Sequence, residues 1–103
     1  MDTFTFFAVG ESIVGASDLI VGFDVALERI SLNTIDADPV TVDNDAFAFI
    51  GLAAFTGTSA QVRYVQAGGN QTIVQVRLAG DAVTDMEITL SGLLTLTEDN
   101  FFL

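Results

Sequence analysis

Seven short apolar-rich runs, several of them alternating apolar and polar residues, set the main limit on how this chain can fold. Each run is rich in β-branched and aromatic side chains and is followed within two residues by Gly, Asp or Asn, a pattern typical of β-strands. Beyond single turns, no segment has the apolar period of an amphipathic helix. The sequence therefore predicts one all-β domain over residues 1–103, with about seven short strands and one or two single-turn helices. The runs cover residues 3–9, 18–23, 28–32, 47–50, 60–66, 71–78 and 86–90.

Two local signals place turns within this pattern. Residues 67–70 read AGGN, which suits a hairpin turn with positive φ, so that 60–66 and 71–78 are expected to pair antiparallel. This pairing brings Arg63 and Arg77 near each other. Residues 43–46 read DNDA, typical of a cap for one turn of helix. Six phenylalanines are expected in the core, one of them supplied by the loop at 53–57: Phe4, Phe6, Phe23, Phe47, Phe49 and Phe55.

The charge balance is strongly acidic. Fourteen Asp and Glu face three basic residues, all Arg, and the formal net charge is −11, yet half of the residues are hydrophobic. This apolar content distinguishes the chain from a disordered acidic tail. The negative charge disfavours nucleic acid and anionic membranes as partners. No apolar run approaches the ~20 residues of a membrane-spanning helix, and residues 1–7 lack the basic region of a Sec signal, so no membrane insertion is expected.

Missing residue types exclude most catalytic chemistry. The chain has neither His nor Cys, which excludes Ser-His-Asp triads, His-ligated metals, thiol nucleophiles and disulfides. We therefore expect no enzymatic activity.

Calcium is the natural counterion for so many carboxylates. The densest acidic stretch contains Asp36, Asp38, Asp43 and Asp45, for which a Ca²⁺ site and a loop of turn and cap residues are both open interpretations.

Several motifs resemble one family closely. Residues 45–64 read DAFAFIGLAAFTGTSAQVRY, similar to the F-x-F-I-G-x-x-A-F-(S/T)-G-x-x-G-(Q/E)-(L/V)-R-Y segment of the C-terminal domain of serralysin-type and other RTX proteins, which leave the cell by type I secretion. Residues 18–23 (DLIVGF), 30–37 (ISLNTIDA) and 80–88 (GDAVTDMEI) resemble further elements of that domain. The C-terminal EDNFFL resembles its acidic residue followed by an apolar triplet. The resemblance covers essentially the whole chain.

The resemblance implies a non-catalytic β-roll cap with a C-terminal export signal. In that family the domain follows a parallel β-roll of Ca²⁺-binding Gly- and Asp-rich repeats, and no such repeat occurs here. The implied partners are the ABC transporter complex that reads the uncleaved signal and an upstream β-roll or catalytic domain. The implied location is extracellular, after secretion from a bacterium. The signal residues are Glu98, Asp99, Asn100, Phe101, Phe102 and Leu103, and we also expect 101–103 to form a last strand after folding.

The resemblance also implies Ca²⁺ as a cofactor, with Asp81 and Asp85 as further candidate ligands. This chain departs from the family pattern where Gly22, Ser31 and Arg77 stand at Asp positions. Each departure removes an oxygen ligand, and Arg77 introduces a cation. Ala79 and Ala82 likewise replace an Asn and a Gly. We therefore expect folding that needs little or no Ca²⁺. The alternative is a stand-alone interaction module that binds Ca²⁺ or forms a homodimer through uncovered N-terminal strands.

Overall fold

The computed structural model describes residues 3–6, 18–23, 28–32, 35, 47–57, 59–68, 70–79 and 84–103. Within these ranges the chain forms eight strands and one 3-10 turn, Glu98–Asn100, which confirms a single all-β domain. The strand beyond the expected seven is formed by the C-terminal tail. The predicted helical turn at 43–46 lies outside the described residues. The strands are β1 (Thr3–Thr5), β2 (Asp18–Ile20), β3 (Arg29–Ser31), β4 (Ala48–Gly51), β5 (Gln61–Ala67), β6 (Gln71–Arg77), β7 (Met86–Ser91) and β8 (Phe101–Phe102).

The larger sheet has five strands in the order β2-β7-β6-β5-β4. Its centre is the predicted hairpin of β5 and β6, which pair antiparallel from Gln61↔Arg77 to Ala67↔Gln71. Asn70 has a φ of 56°, in the left-handed region that Asn tolerates and tight hairpin turns require. The edge strands differ, because β2 runs parallel to β7 and β4 parallel to β5. The prediction of the hairpin is thus confirmed.

The smaller sheet has three parallel strands in the order β1-β3-β8. Among the described strands, the chain passes from this sheet (β1) to the larger one (β2), back to the smaller (β3) and again to the larger (β4). β1 pairs with β3 in parallel in the smaller sheet, whereas β2 and β4 lie at opposite edges of the larger sheet. This winding places β1 and β2 at the edges of their two sheets.

Strand alternation builds the core. On β5, β6 and β7 every second side chain points inward, and Val62, Val74 and Ile88 have no exposed surface. Each such side chain contributes about 1.5–3 kcal/mol by leaving water. The smaller sheet adds Ile30, and the tail adds Phe101, to the same cluster. The intervening side chains of the larger sheet form an outer face, with Arg63, Gln75 and Glu87 adjacent across three strands.

The phenylalanine prediction holds for five of the six residues. Phe6, Phe23 and Phe47 are buried in the core, and Phe4 and Phe49 pack against it. Phe55 was wrongly assigned to the core. Its ring lies near the guanidinium groups of Arg63 and Arg77, side chains of the outer face. A loop that leaves the sheet edge can return over either face, and the sequence pattern does not distinguish the two. None of the helices in the described ranges could cross a bilayer.

Candidate functional site

The predicted signal residues lie together at the C-terminus, where a 3-10 turn leads into β8. The turn is closed by Asn100, whose side-chain oxygen accepts a hydrogen bond of 3.0 Å from the backbone N–H of Thr97. The amide nitrogen of Asn100 donates to the carbonyl of Glu28 at 3.4 Å, which links the turn to the residue just before β3. Asn100 is only 3% exposed, whereas Glu98 and Asp99 are exposed. The turn therefore presents its acidic residues and buries its amide.

The strand that follows presents one phenylalanine inward and one outward. β8 pairs with β3 through Ile30↔Phe101 and Ser31↔Phe102, and the N–H of Leu32 donates to the Phe102 carbonyl at 2.9 Å. Phe101 is 6% exposed and its ring centroid lies 5.2 Å from that of Phe49. Phe102 is 43% exposed. The expected last strand is thus present, and two of the six candidate signal residues, Asn100 and Phe101, are buried in the folded domain.

The most distinctive sequence segment, 45–64, includes a loop fastened to the outer face of the larger sheet. Arg63 Nε donates to the carbonyl of Ala53 at 2.7 Å. Gln61 makes a paired contact with Thr56: its Oε1 accepts from the Thr56 N–H at 2.9 Å and its Nε2 donates to Thr56 Oγ1 at 3.0 Å. Gly57 adopts a φ of 56°, a backbone conformation that side chains other than Gly rarely tolerate. These motif residues therefore hold the loop against β5.

Arg77 is the one buried cation on this face, among the residues that the structure describes. It is 3% exposed, although an outward position on β6 would be expected to face solvent. Its Nη2 donates to the carbonyls of Thr56 and Ser59 at 2.7 and 2.9 Å and to Gln61 Oε1 at 3.1 Å. The sequence predicted that the hairpin places Arg63 and Arg77 near each other, but it did not predict that the loop before β5 packs over them.

Of the six candidate Ca²⁺ ligands, only Asp85 lies in the described part of the chain; Asp36, Asp38, Asp43, Asp45 and Asp81 lie outside it. The Asp85 carboxylate accepts a hydrogen bond of 2.8 Å from the N–H of Leu78. The Asp85 N–H donates to the Val76 carbonyl at 2.8 Å, so this residue closes the segment between β6 and β7. The described residues contain no group of three acidic side chains able to hold a metal. With Arg77 at the start of this segment, its described residues do not fit Ca²⁺.

A second surface feature lies where the edge strands of the two sheets meet. A depression of about 480 Å³ is lined by both edge strands and the residues that follow them. Leu19 and Val21 on this surface are 57% and 74% exposed, while Phe6 and Ile20 are buried. The lining residues are Phe4, Thr5, Phe6, Leu19, Ile20 and Val21. We call this surface the edge depression.

Comparison with known proteins identifies the family. The family model described as Peptidase M10 serralysin C terminal matches residues 1–102. No curated protein matches the chain. The family is the non-catalytic C-terminal domain of serralysins, whose peptidase is a different domain. The match confirms the resemblance carried by residues 45–64 and by the tail, and the chain belongs to the serralysin C-terminal domain family.

Proposed function

We propose that this domain closes the end of a β-roll and carries the C-terminal signal for type I secretion by an ABC transporter complex. In this proposal the domain is not itself an enzyme, and it acts for an upstream β-roll or catalytic domain in a secreted, extracellular bacterial protein. The match to the serralysin C-terminal family model over residues 1–102 supports this role. Two structural features, one for each half of the proposal, support it further.

The observation that carries the capping role is the edge depression. β1 and β2 are edge strands of different sheets, both pair in parallel with their neighbours, and both line the same depression. A preceding coil of parallel strands, winding between two sheets as this chain does, can add one strand to each edge. Such pairing covers the backbone groups of the edge strands and buries Leu19 and Val21. The opposite ends of the sheets would then close the roll.

Leu19 allows a direct test of the cap. The chain is joined to a parallel β-roll that lacks its own cap, and thermal unfolding of the roll is followed by circular dichroism. We expect the domain to raise the melting temperature of the roll, and Leu19→Lys to remove about half or more of that gain, because it places a charge in the proposed contact. Leu93→Lys is the matched control, since Leu93 is 56% exposed and Leu19 57%. Equal effects of the two substitutions would contradict capping through this surface.

The arrangement of the tail supports a signal that acts before folding. Asn100 and Phe101 are buried, so a transporter can contact both only when β8 is released from β3. A net charge of −11 with no Lys disfavours compaction through self-repulsion, which favours an extended chain during export. The folded strand and the export signal are therefore two uses of the same residues at different times.

Export is tested with residues 1–103 fused to a passenger in a strain that carries a matching type I system. The passenger is expected in the medium, and deletion of residues 101–103 should retain it in the cell. Because this deletion also removes β8, Leu32→Ala is the control: it weakens the packing of the fully buried Leu32 beside β8 and leaves the tail sequence intact. We expect Leu32→Ala to be exported. Unchanged export of the truncated chain would refute the signal role.

Self-association through the edge depression is a second candidate function. It is favoured by the exposure of Leu19 on the edge strand β2 and of Val21 directly after it, because an uncovered edge strand could pair with a second copy. Light scattering at two protein concentrations distinguishes a homodimer from a monomer. A dimer that is lost in Leu19→Lys and kept in Leu93→Lys would support this function. A monomer at both concentrations would exclude it.

A further inference from the structure

We propose that the guanidinium of Arg77 acts as an internal cation that holds the loop at 52–60, in place of a bound divalent ion. The consequence is a domain that folds equally well with and without Ca²⁺. This inference follows from the contacts of Arg77 and does not depend on the export or capping roles.

The contacts of Arg77 have the character of an oxygen-lined cation site. Three oxygen atoms from Thr56, Ser59 and Gln61 lie 2.7 to 3.1 Å from its Nη2. Carbonyl and amide oxygens are among the ligands that Ca²⁺ prefers. Here they converge on a nitrogen that carries part of a permanent positive charge. Thr56 and Ser59 lie on the loop and Gln61 on β5, so one group on β6 connects all three.

Burial strengthens these interactions. Arg77 is 3% exposed, and its Cζ lies 4.8 Å from the ring centroid of Phe55, within the range of a cation–π contact. Its Nε is also buried, and no residue in the described ranges accepts a hydrogen bond from it. This unpaired N–H costs free energy, which the hydrogen bonds of Nη2 must offset. The field of a chain with net charge −11 favours a cation at this position.

A divalent ion does not fit beside this group. It would meet the like charge of the guanidinium and compete with it for the same oxygen atoms. The carboxylate of Asp85, in the same β6–β7 segment, already accepts the N–H of Leu78 at 2.8 Å. The serralysin-type family implies Ca²⁺, and at this segment the described residues disagree with that implication.

Thermal unfolding in excess Ca²⁺ and in excess chelator gives the first test. We expect the wild-type melting temperature to agree within about 2 °C between the two conditions. Arg77→Met should lower it by about 8 °C or more in both, since three hydrogen bonds to a charged donor are lost. Arg29→Met is the matched control, because it removes the same charge from a half-buried side chain whose guanidinium donates to the neighbouring Glu28 carbonyl at 3.3 Å. Its shift should stay below about 3 °C.

Amide hydrogen exchange gives a local readout. In Arg77→Met, exchange of the Thr56 amide should accelerate at least about tenfold relative to amides of the central hairpin, because loop opening is no longer opposed.

If Arg77→Met does not fold, Arg77→Lys serves instead, because it keeps the charge and loses the planar fork of the guanidinium. We expect Arg77→Lys to have an intermediate melting temperature and no response to Ca²⁺. A rise of about 10 °C in the wild-type melting temperature on adding Ca²⁺ would overturn the proposal. Equal losses in Arg77→Met and Arg29→Met would do so as well.

Discussion

The two phenylalanines of β8 allow the folded and unfolded uses of the tail to be measured separately. Phe101 is 6% exposed and packs 5.2 Å from Phe49, whereas Phe102 is 43% exposed. Both belong to the proposed signal, and both are equally accessible in an unfolded chain. Substitution of each by Ala therefore has different consequences for stability and similar consequences for recognition before folding.

The expected losses follow from this burial. Phe101→Ala removes a nearly fully buried ring and leaves a cavity, which costs about 3–5 kcal/mol. Phe102→Ala removes a side chain that is little more than half buried, and about 1 kcal/mol is expected. Neither change removes the backbone bond between the Leu32 N–H and the Phe102 carbonyl. For a domain of this size, the melting temperature should fall by roughly 12–40 °C and 4–8 °C respectively.

Chemical unfolding followed by far-ultraviolet circular dichroism measures the two free energies, and the passenger assay measures export of the same variants. We expect export to fall by a similar factor in both variants, because in the proposed route the transporter contacts the unfolded chain, in which neither ring is buried. Equal losses of stability would refute the assigned orientation of β8. Export that follows the order of stability would contradict a signal read before folding.

Substitutions at two further positions test the connections between strands. Thr72→Val should destabilise the domain by about 2–3 kcal/mol in urea unfolding. The fully buried Thr72 hydroxyl donates to the Gly92 carbonyl and accepts from the Leu94 N–H, both at 2.8 Å. A loss below about 0.5 kcal/mol would contradict this bridge. Asp85→Ala should cost about 1–3 kcal/mol by leaving the Leu78 N–H without its acceptor, and Asp85→Asn, which keeps an oxygen there, should cost less. Equal losses in these two variants would show that the acceptor at Asp85 does not matter.

The sequence predicted the local parts of the fold and missed the long-range ones. The β5–β6 hairpin was predictable because AGGN fixes a tight turn and both strands alternate. Parallel pairing of β1 with β3, or β2 with β7, depends on residues far apart in sequence, and the apolar pattern of a short strand does not specify its neighbour.

The candidate site shows the same division. The acidic and apolar character of Glu98 to Leu103 could be read from the sequence, as could the tail strand. The contact of Asn100 with the Glu28 carbonyl could not, because it joins positions 72 residues apart. Likewise Phe55 was expected in the core from its hydrophobicity, but the loop that carries it folds over the outer face, where Arg63 and Arg77 offer positive charge to its ring.

The positions of the arginines connect the charge of the chain with both of its proposed uses. Two of the three basic residues, Arg63 and Arg77, contact the same loop. In the folded domain their guanidinium groups donate hydrogen bonds to its backbone carbonyls. Residues 78–103 contain five acidic residues and no basic one. A chain that enters a transporter from its C-terminus therefore presents only negatively charged side chains before Arg77. Because residues 78–103 contain no basic side chain, ion pairs within this segment cannot make it compact before the rest of the chain follows. In the proposed order of export, the first cation to follow this segment is Arg77, whose contacts with Thr56, Ser59 and Gln61 form only later, when the domain folds.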